Sequence, residues 1–247
     1  MSDDSQVAIV TGSATGVGRS VALRLARKSI AVVINYSKSE QDARHTVAAI
    51  ENAGGRALLQ KADVSDDDQV ISMVESTITE FGRLDYLVNN AATTYRVAMD
   101  DLGALTAEMW HRILDVNVIG AFQCSRAAAP HIRKRGHGAI VNVSSYSGFS
   151  GKGTSIAYAA SKAAMNAMTK SLAAVMAPDI RVNAVAPGFI DTRWHAGYEH
   201  GKTEAAAATP LGFAAGPDNI ADAVVPLLLD NSFVTGQVIV VDGGRSL

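Results

Sequence analysis

Gln6–Arg27, QVAIVTGSATGVGRSVALRLAR, decides how the rest of the chain is read. Gln6–Val10 is mostly apolar and β-branched and stops at Thr11-Gly12, the pattern of a buried strand running into a turn. From Val17 to Arg27, the residues Val17, Val21, Ala22 and Leu25 share one helical face. Between them lies Thr11–Gly18, TGSATGVG, with glycines at Gly12, Gly16 and Gly18. Glycine permits a tight turn and a close approach of backbone to a phosphate. The helix start beyond it offers free N–H groups and the positive end of a dipole. The spacing is G-x-x-x-G-x-G rather than the commoner G-x-G-x-x-G. Its place after the first strand of an alternating chain still points to a phosphate-bearing cofactor.

The alternation continues outward from this unit. Ala31–Asn35 reads as a second strand. Ser39 stands where it can cap a helix with the stripe Ala43, Val47, Ile50 and the stop Gly54-Gly55. Ala57–Ala62 is a third strand. Ser65 is expected to cap the next helix, ahead of Asp66-Asp67-Asp68, whose charges suit the dipole. Val70, Val74, Ile78 and Phe81 form its core face, and Gly82 ends it. Asp85–Asn89 is a fourth strand and Thr94–Leu105 a loop. Thr106–Lys134 is helical, with an interruption near Val116–Gly120. Ala139–Val143, Ile180–Ala186 and Val238–Val241 are further strands. Ile156–Met176 and Asn219–Leu229, the latter with Asp218 as cap, are further helices, and Pro187–Gly216 is a long, partly helical loop. Strands apolar on both faces and separated by helices predict an α/β fold: a parallel sheet with helices on both faces. No linker or repeat divides the chain, so one domain over 1–247 is expected, with a substrate loop at about 188–217.

Charge and composition exclude several classes. The 247 residues carry 22 basic and 24 acidic side chains, a net charge of −2, and 48% are apolar. No basic excess suggests nucleic acid. The lone Cys124 cannot form an internal disulfide or a cysteine metal site and reads as core filler. The histidines lack metal-ligand spacing, so no metal is expected. Met1–Gln6 lacks the basic and apolar regions of a signal peptide, and the apolar runs are too short to span a membrane. A cytoplasmic protein with no membrane partner is expected.

The second informative stretch is Ser144–Lys162, SSYSGFSGKGTSIAYAASK. Tyr158 and Lys162 are four residues apart, on one face of a helix. Ser145 lies just beyond the apolar run Ala139–Val143. A phenol beside an ammonium, with a hydroxyl at a strand end, can protonate a carbonyl oxygen.

With these motifs in order, the sequence resembles the short-chain dehydrogenase/reductase family over nearly its whole length. The resemblance rests on TGSATGVG, Asp63-Val64, NNAA at Asn89–Ala92, Asn117, Ser145, YAASK at Tyr158–Lys162 and Pro187-Gly188. It implies a single Rossmann-type, doubly wound domain with a seven-stranded sheet, and usually a homotetramer. It also implies hydride transfer between a nicotinamide cofactor and a carbonyl or alcohol. By that similarity Tyr158 is the general acid or base and Ser145 holds the carbonyl oxygen. Lys162 hydrogen-bonds the nicotinamide ribose, and Asn117 anchors a water that passes protons to bulk. A free phenol has a pKa near ~10, and a neighbouring ammonium is expected to lower that of Tyr158. The family's serine-to-tyrosine spacing selects Ser145 over Ser144 and Ser147.

The cofactor contacts follow in the same way. Gly12, Thr15, Gly16, Val17 and Gly18 form the diphosphate turn. Asp63 and Val64 meet the adenine, Asn90 and Ala91 line the ribose, and Asn89 braces the sheet. Pro187, Gly188, Ile190 and Thr192 wrap the carboxamide and phosphates. An acidic residue after the second strand would bind the ribose hydroxyls of NAD. Here Tyr36, Ser37 and Lys38 stand there, and the last two suit a 2′-phosphate. NADP(H) is therefore favoured, with NAD(H) as the alternative; Thr15 stands where NADP-preferring relatives often carry a basic residue, and Arg19 is a second candidate phosphate contact.

The partner is expected to be a small carbonyl or alcohol. Thr93–Leu105 and Phe189–Gly216 border its pocket, with Tyr95, Phe149, Phe189, Trp194, Tyr198 and Phe213 as candidate walls and Ala196–Ala208 as a candidate cover. The pattern is similar to that of 3-oxoacyl-(acyl-carrier-protein) reductases, which makes that activity the alternative; Arg133, Lys134 and Arg135 offer a basic docking surface for such a carrier. A non-catalytic NAD(P)-binding regulator is a further alternative, disfavoured because Tyr158, Lys162 and Ser145 are all present.

Overall fold

β1 (Val7–Val10) is apolar and buried at every position, as a strand covered on both faces must be. The computed structural model describes residues 5–195 and 201–247. After β1 come α1 (Gly16–Arg27), β2 (Ala31–Tyr36), α2 (Glu40–Asn52), β3 (Ala57–Lys61), α3 (Asp67–Phe81) and β4 (Tyr86–Asn89). Then follow α4 (Ala107–Leu114), a π-helical turn (Asp115–Gly120), α5 (Ala121–Arg133), β5 (Gly138–Val143) and the single turn α6 (Ser147–Ser150). The chain ends with α7 (Ile156–Met176), β6 (Ile180–Pro187), α8 (Gly201–Ala207), α9 (Pro217–Leu229) and β7 (Val238–Val241).

All seven strands join one parallel sheet in the order β3-β2-β1-β4-β5-β6-β7. The chain runs outward from β1 to β3, returns to β4 on the other side of β1, and runs outward again to β7. Successive side chains of a strand point to opposite faces, and β1 shows the result. Ala8 and Val10 enter a core shared with α1 and α9, where Val21, Leu25, Ile220 and Val224 are buried. Val7 and Ile9 enter a second core with α3, α5 and α7, where Met73, Cys124, Ile132 and Leu172 are buried. Each fully buried aliphatic side chain of this kind contributes about 1.5–3 kcal/mol of hydrophobic stabilisation. The doubly wound α/β fold expected from the alternation is borne out. No helix among the described residues is long and apolar enough to cross a membrane.

Local differences have simple causes. The cap of α3 is Asp66, whose side chain accepts the Gln69 N–H, and not Ser65. Both residue types cap well; Ser65 instead donates its hydroxyl to Asp63 at 2.6 Å. Ser39 occupies the cap position of α2 but makes no side-chain cap bond. α9 starts two residues earlier than expected, at Pro217, a residue suited to a first helical position. Asp218 therefore lies inside the helix, bound to Ser20 and Arg24 of α1. The expected interruption at Val116–Gly120 is the π-helical turn.

Candidate functional site

The loops after the carboxyl ends of the strands surround a cleft of about 1430 Å³. In such sheets the crevice opens where strand order reverses, here between β1 and β4. The turn after β1 forms one wall. Gly12 has φ +61°, and a Cβ there would sit 2.9 Å from the Ala91 Cα. Its N–H donates to the Asn35 side chain at 3.0 Å, and the Ser13 N–H donates to the Asn35 carbonyl at 3.0 Å. Asn90 donates to the carbonyls of Thr11 and Gly12 at 2.8 and 3.0 Å. The Thr11 hydroxyl accepts the N–H groups of Asn90 and Ala91 at 2.9 and 3.0 Å. The turn is thus locked to β2 and β4 before any ligand arrives. The first N–H groups of α1 have no intrahelical acceptor, and Thr15 makes no side-chain cap bond to them. They are the donors an anion would meet.

Gly12, Thr15, Gly16 and Val17 line the cleft. Gly18 stands behind its wall, where a Cβ would lie 2.5 Å from the Asn90 amide nitrogen and 2.7 Å from the Gly12 carbonyl oxygen. Its part is to let α1 pack on the turn. Tyr36, Ser37, Lys38, Asp63, Val64, Asn90 and Ala91 also line the cleft. Asp63 is engaged by Arg112 at 2.8 Å. Burial pushes its carboxyl up, but bonds from Ser65 and Arg112 outweigh this and hold it below the ordinary value. Arg19 borders a separate hollow with Arg24 and Arg27, not the cleft. Asn89 donates to Asn142 at 2.9 Å and Ser125 at 3.0 Å, bracing β4 against β5 and α5.

Ser145, Tyr158 and Lys162 converge on the cleft wall between its two ends. Ser155 caps α7 by accepting the Tyr158 N–H at 3.2 Å, which sets the helix start just before the phenol. Burial pushes Tyr158 up to about 12, against the pull of a hydrogen bond with Ser145. Lys162 is 2% exposed and donates to the Val143 carbonyl at 2.8 Å. Burial brings it down to about 7. The expected lowering of Tyr158 by Lys162 is therefore corrected: desolvation governs both groups, and the ammonium nitrogen lies 5.7 Å from the phenol ring centre. Ser144 also lines the cleft, but its hydroxyl is spent on Asn166 at 2.6 Å. Asn117 does not reach the cleft. It is fully buried in the π-helical turn, accepts the Thr93 N–H at 2.8 Å, and donates to the Thr93 carbonyl and the Ser161 hydroxyl at 3.0 Å each. Both amide hydrogens are spent, so its side chain braces the loop after β4 rather than offering a donor to water.

Pro187, Gly188, Ile190 and Thr192 line the cleft beyond β6. The loop that follows is closed at its base by a parallel bridge between Ile190 and Ala215. Of the expected aromatic walls, Tyr95, Phe189 and Trp194 line the cleft, while Phe149 and Phe213 do not. The Trp194 ring lies 5.9 Å from that of Tyr158. Tyr198 lies outside the described residues, as does the first part of Ala196–Ala208. Arg96 and Arg193, from the two stretches expected to border the pocket, line the cleft; sequence reading missed Asn35, Arg112, Lys152, Asp242 and Arg245, which line it too. Asn35 alone carried a signal: a polar side chain ending a buried apolar strand needs hydrogen-bond partners.

The arrangement offers a neutral phenol, a hydroxyl and a buried amine beside a cradle for a long phosphate-bearing ligand. Comparison with known proteins agrees. A family model described as enoyl-(acyl carrier protein) reductase matches residues 12–246. The chain is 42% identical to the candidate ketoacyl reductase 2 of the granaticin polyketide synthase of Streptomyces violaceoruber, over 99% of this chain and 97% of that one. It is 38% identical to a 3-oxoacyl-(acyl-carrier-protein) reductase of Thermotoga maritima, over 98% of each. The crystal structure of a candidate short-chain dehydrogenase/reductase from Burkholderia xenovorans matches with a TM-score of 0.94, at 35% identity and 99% coverage of both chains.

Proposed function

The chain is a member of the short-chain dehydrogenase/reductase family, and from that premise we propose that it transfers a hydride between NADP(H) and a small carbonyl or secondary alcohol, with Tyr158 as acid and base. The observation that carries this reading is the meeting of Tyr158, Ser145 and Lys162 on one wall of a cleft whose other wall is the glycine turn.

The residues present fit a dinucleotide. The open first turn of α1 would take the diphosphate, with Gly12, Thr15, Gly16 and Val17 at its edge and Gly18 behind. Asp63, Val64, Asn90 and Ala91 would hold the adenosine, and Pro187, Gly188, Ile190 and Thr192 the nicotinamide half. Tyr36, Ser37 and Lys38 include no carboxylate, which supports NADP(H) over NAD(H). Bound there, the nicotinamide supplies or accepts the hydride. Tyr158, kept protonated at neutral pH, gives its proton to the oxygen of a carbonyl as negative charge grows on it. The Ser145 hydroxyl holds that oxygen in line with the phenol. Lys162 then faces a phenolate, whose charge favours the ammonium form and offsets the cost of its burial. Asn117 keeps the Thr93 loop in place while this occurs.

The carrier-protein alternative asks for a basic docking surface. Arg133 is paired with Asp179 at 3.3 Å, and Arg135 lies 3.9 Å from Asp85. That partial neutralisation favours a free small molecule. A cytoplasmic homotetramer completes the proposal. Ala160, Ala163 and Ala167 are exposed along α7 and would let two helices approach closely. Light scattering tests the assembly.

The activity is tested by following NADPH and NADH absorbance against a panel of ketones, and NADP+ and NAD+ against the matching alcohols. Turnover with NADPH exceeding that with NADH by tenfold or more, about 1.4 kcal/mol, is expected. No turnover of any carbonyl would overturn the reading, and a clear NADH preference would overturn its cofactor half.

A further inference from the structure

Two of the cations lining the cleft are paired with carboxylates. Arg112 pairs with Asp63 at 2.8 Å and Arg193 with Asp42 at 3.0 Å. Lys162 is buried against a carbonyl. Arg245 stands beyond β7, where its backbone N–H meets the Asp242 carbonyl at 3.3 Å, and its side chain has no acidic partner among the described residues. Lys38 stands with the residues assigned above to the cofactor. Arg96 and Lys152 also line the cleft without an acidic partner among the described residues, and they differ from Lys38 and Arg245 in standing on two loops that are bonded to each other.

Both lie at the end away from the adenosine wall. Arg96 follows β4 and Lys152 follows β5, whereas Lys38 and Asp63 follow β2 and β3. Neighbouring strands are about 4.8 Å apart, so three spacings put β5 roughly 14 Å from β2. The two loops are joined: the Val97 N–H donates to the Thr154 carbonyl at 2.9 Å, and the Thr94 and Thr154 hydroxyls are 2.5 Å apart. Arg96 is held further by a hydrogen bond from its Nη2 to the Trp194 carbonyl. That tryptophan packs on Tyr158. A guanidinium bound once to a carbonyl keeps most of its five N–H donors for a ligand. Around it, Tyr95, Phe189 and Trp194 supply apolar wall.

We propose that the substrate is an acid: a small oxo or hydroxy acid with an apolar body, whose carboxylate is received by Arg96 and Lys152 while its reacting carbon lies at Tyr158. The proposal rests on the carbonyl–alcohol reading of the site. Arg96 supplies the planar donor pair that suits a carboxylate. Lys152 adds a point charge from the opposite loop. The aromatic wall sets the body of the substrate between this anion site and the phenol.

The test is calorimetric titration of NADP+-saturated protein with cyclohexanecarboxylate and with cyclohexanecarboxamide. The carboxylate is expected to bind about tenfold or more tightly than the amide, the size of a charged hydrogen bond. The preference should shrink as salt is raised. Lys152→Gln and Arg96→Gln should each abolish most of it. Lys170→Gln, which removes the same charge from an exposed position of α7, should leave it intact. Arg96→Gln also removes the bond to the Trp194 carbonyl. Lys152 has no acidic partner among the described residues, so its variant decides where Arg96→Gln disturbs Trp194. Equal binding of acid and amide, no binding of either, or a preference that survives both substitutions overturns the proposal. So does pantetheine 4′-phosphate binding more tightly than the carboxylate through the same two residues. Binding is independent of turnover: carboxylate preference without hydride transfer would sink only the activity, and turnover of neutral ketones without that preference would sink only the anion site.

Discussion

The two ends of the cleft are built on different principles. At the β1–β2 end, the backbone of Thr11–Ser13 is bonded at nearly every polar group to Asn35, Asn90 or a neighbouring strand, and Asn35 is 1% exposed. At the β5–β6 end, the loops carry exposed side chains and are joined by fewer ties, Thr94 and Val97 to Thr154 and Arg96 to Trp194. The first end has one allowed geometry and residue types that sterics dictate. The second has exchangeable ties, the kind of structure whose local opening costs little. A fold that must hold a common cofactor and a particular substrate divides the labour in this way. α7 stands at the seam and presents Tyr158 to both.

The largest effect expected is at the seam. Tyr158→Phe removes the phenol that meets Ser145 and leaves both ends standing. Turnover should fall by roughly 10³-fold or more, within the range for a positioned acid–base group. NADPH affinity, read by fluorescence titration, should change little. A parallel loss of cofactor binding would mean that the phenol supports the cofactor end, and the division would fail.

Next comes the rigid end itself. A Cβ at Gly18 meets the Asn90 amide at 2.5 Å and the Gly12 carbonyl at 2.7 Å. Gly18→Ala should therefore cost about 1–3 kcal/mol, the range for overpacking, seen as a lower urea midpoint at unchanged slope. Gly212 in the segment between β6 and α9 has φ +77°, and a Cβ added there would meet no heavy atom within 4 Å. Gly212→Ala should cost only its backbone strain, about 1 kcal/mol.

The same contrast explains what the sequence revealed. The glycine turn was legible because its φ and its space admit no other residue, and the Tyr158–Lys162 pair because four residues define a helical face. The sheet was legible because its strands are buried on both sides. Asn35 stood out only as a polar residue at the end of a buried strand, since its task appears when strand order sets β2 beside the turn. The Asp63–Arg112 pair was hidden, its members being far apart in sequence. Arg96 and Lys152 sit in loops with no periodicity to read. The net rise at Tyr158 was missed for a different reason: spacing shows proximity, and desolvation depends on what covers the pair.

That desolvation has a consequence for stability at the seam. Lys162 falls from an ordinary 10.5 to about 7 on folding. Between these values the unfolded chain holds the proton and the folded one releases it, so stability rises with pH. The burial penalty is full below pH about 7 and is progressively relieved above it. Over pH 7 to about 8.5 the cofactor-free protein should gain roughly 1–2 kcal/mol from this group. Tyr158 and Cys124, both raised to about 12, stay protonated in the folded state across that window. Urea unfolding at several pH values reads the slope, and Lys162→Met should flatten it. A slope that persists in the variant would assign it to other groups.

The smallest effect belongs to the loosely tied end. Thr154→Val deletes the hydroxyl that meets Thr94 at 2.5 Å but keeps the carbonyl that accepts the Val97 N–H at 2.9 Å. Both hydroxyls are part-buried, so one ordinary hydrogen bond is lost, worth about 1 kcal/mol or less. The urea midpoint should move less than in Gly18→Ala, and NADPH affinity should stay as it was. What should change is local: faster hydrogen exchange at Val97, and a KM for the carbonyl substrate raised a few-fold at nearly constant kcat. If Thr154→Val instead destabilised the protein as much as Gly18→Ala, both ends would be equally rigid, and the loops around Arg96 and Lys152 would have to be regarded as a fixed wall and not as an adjustable one.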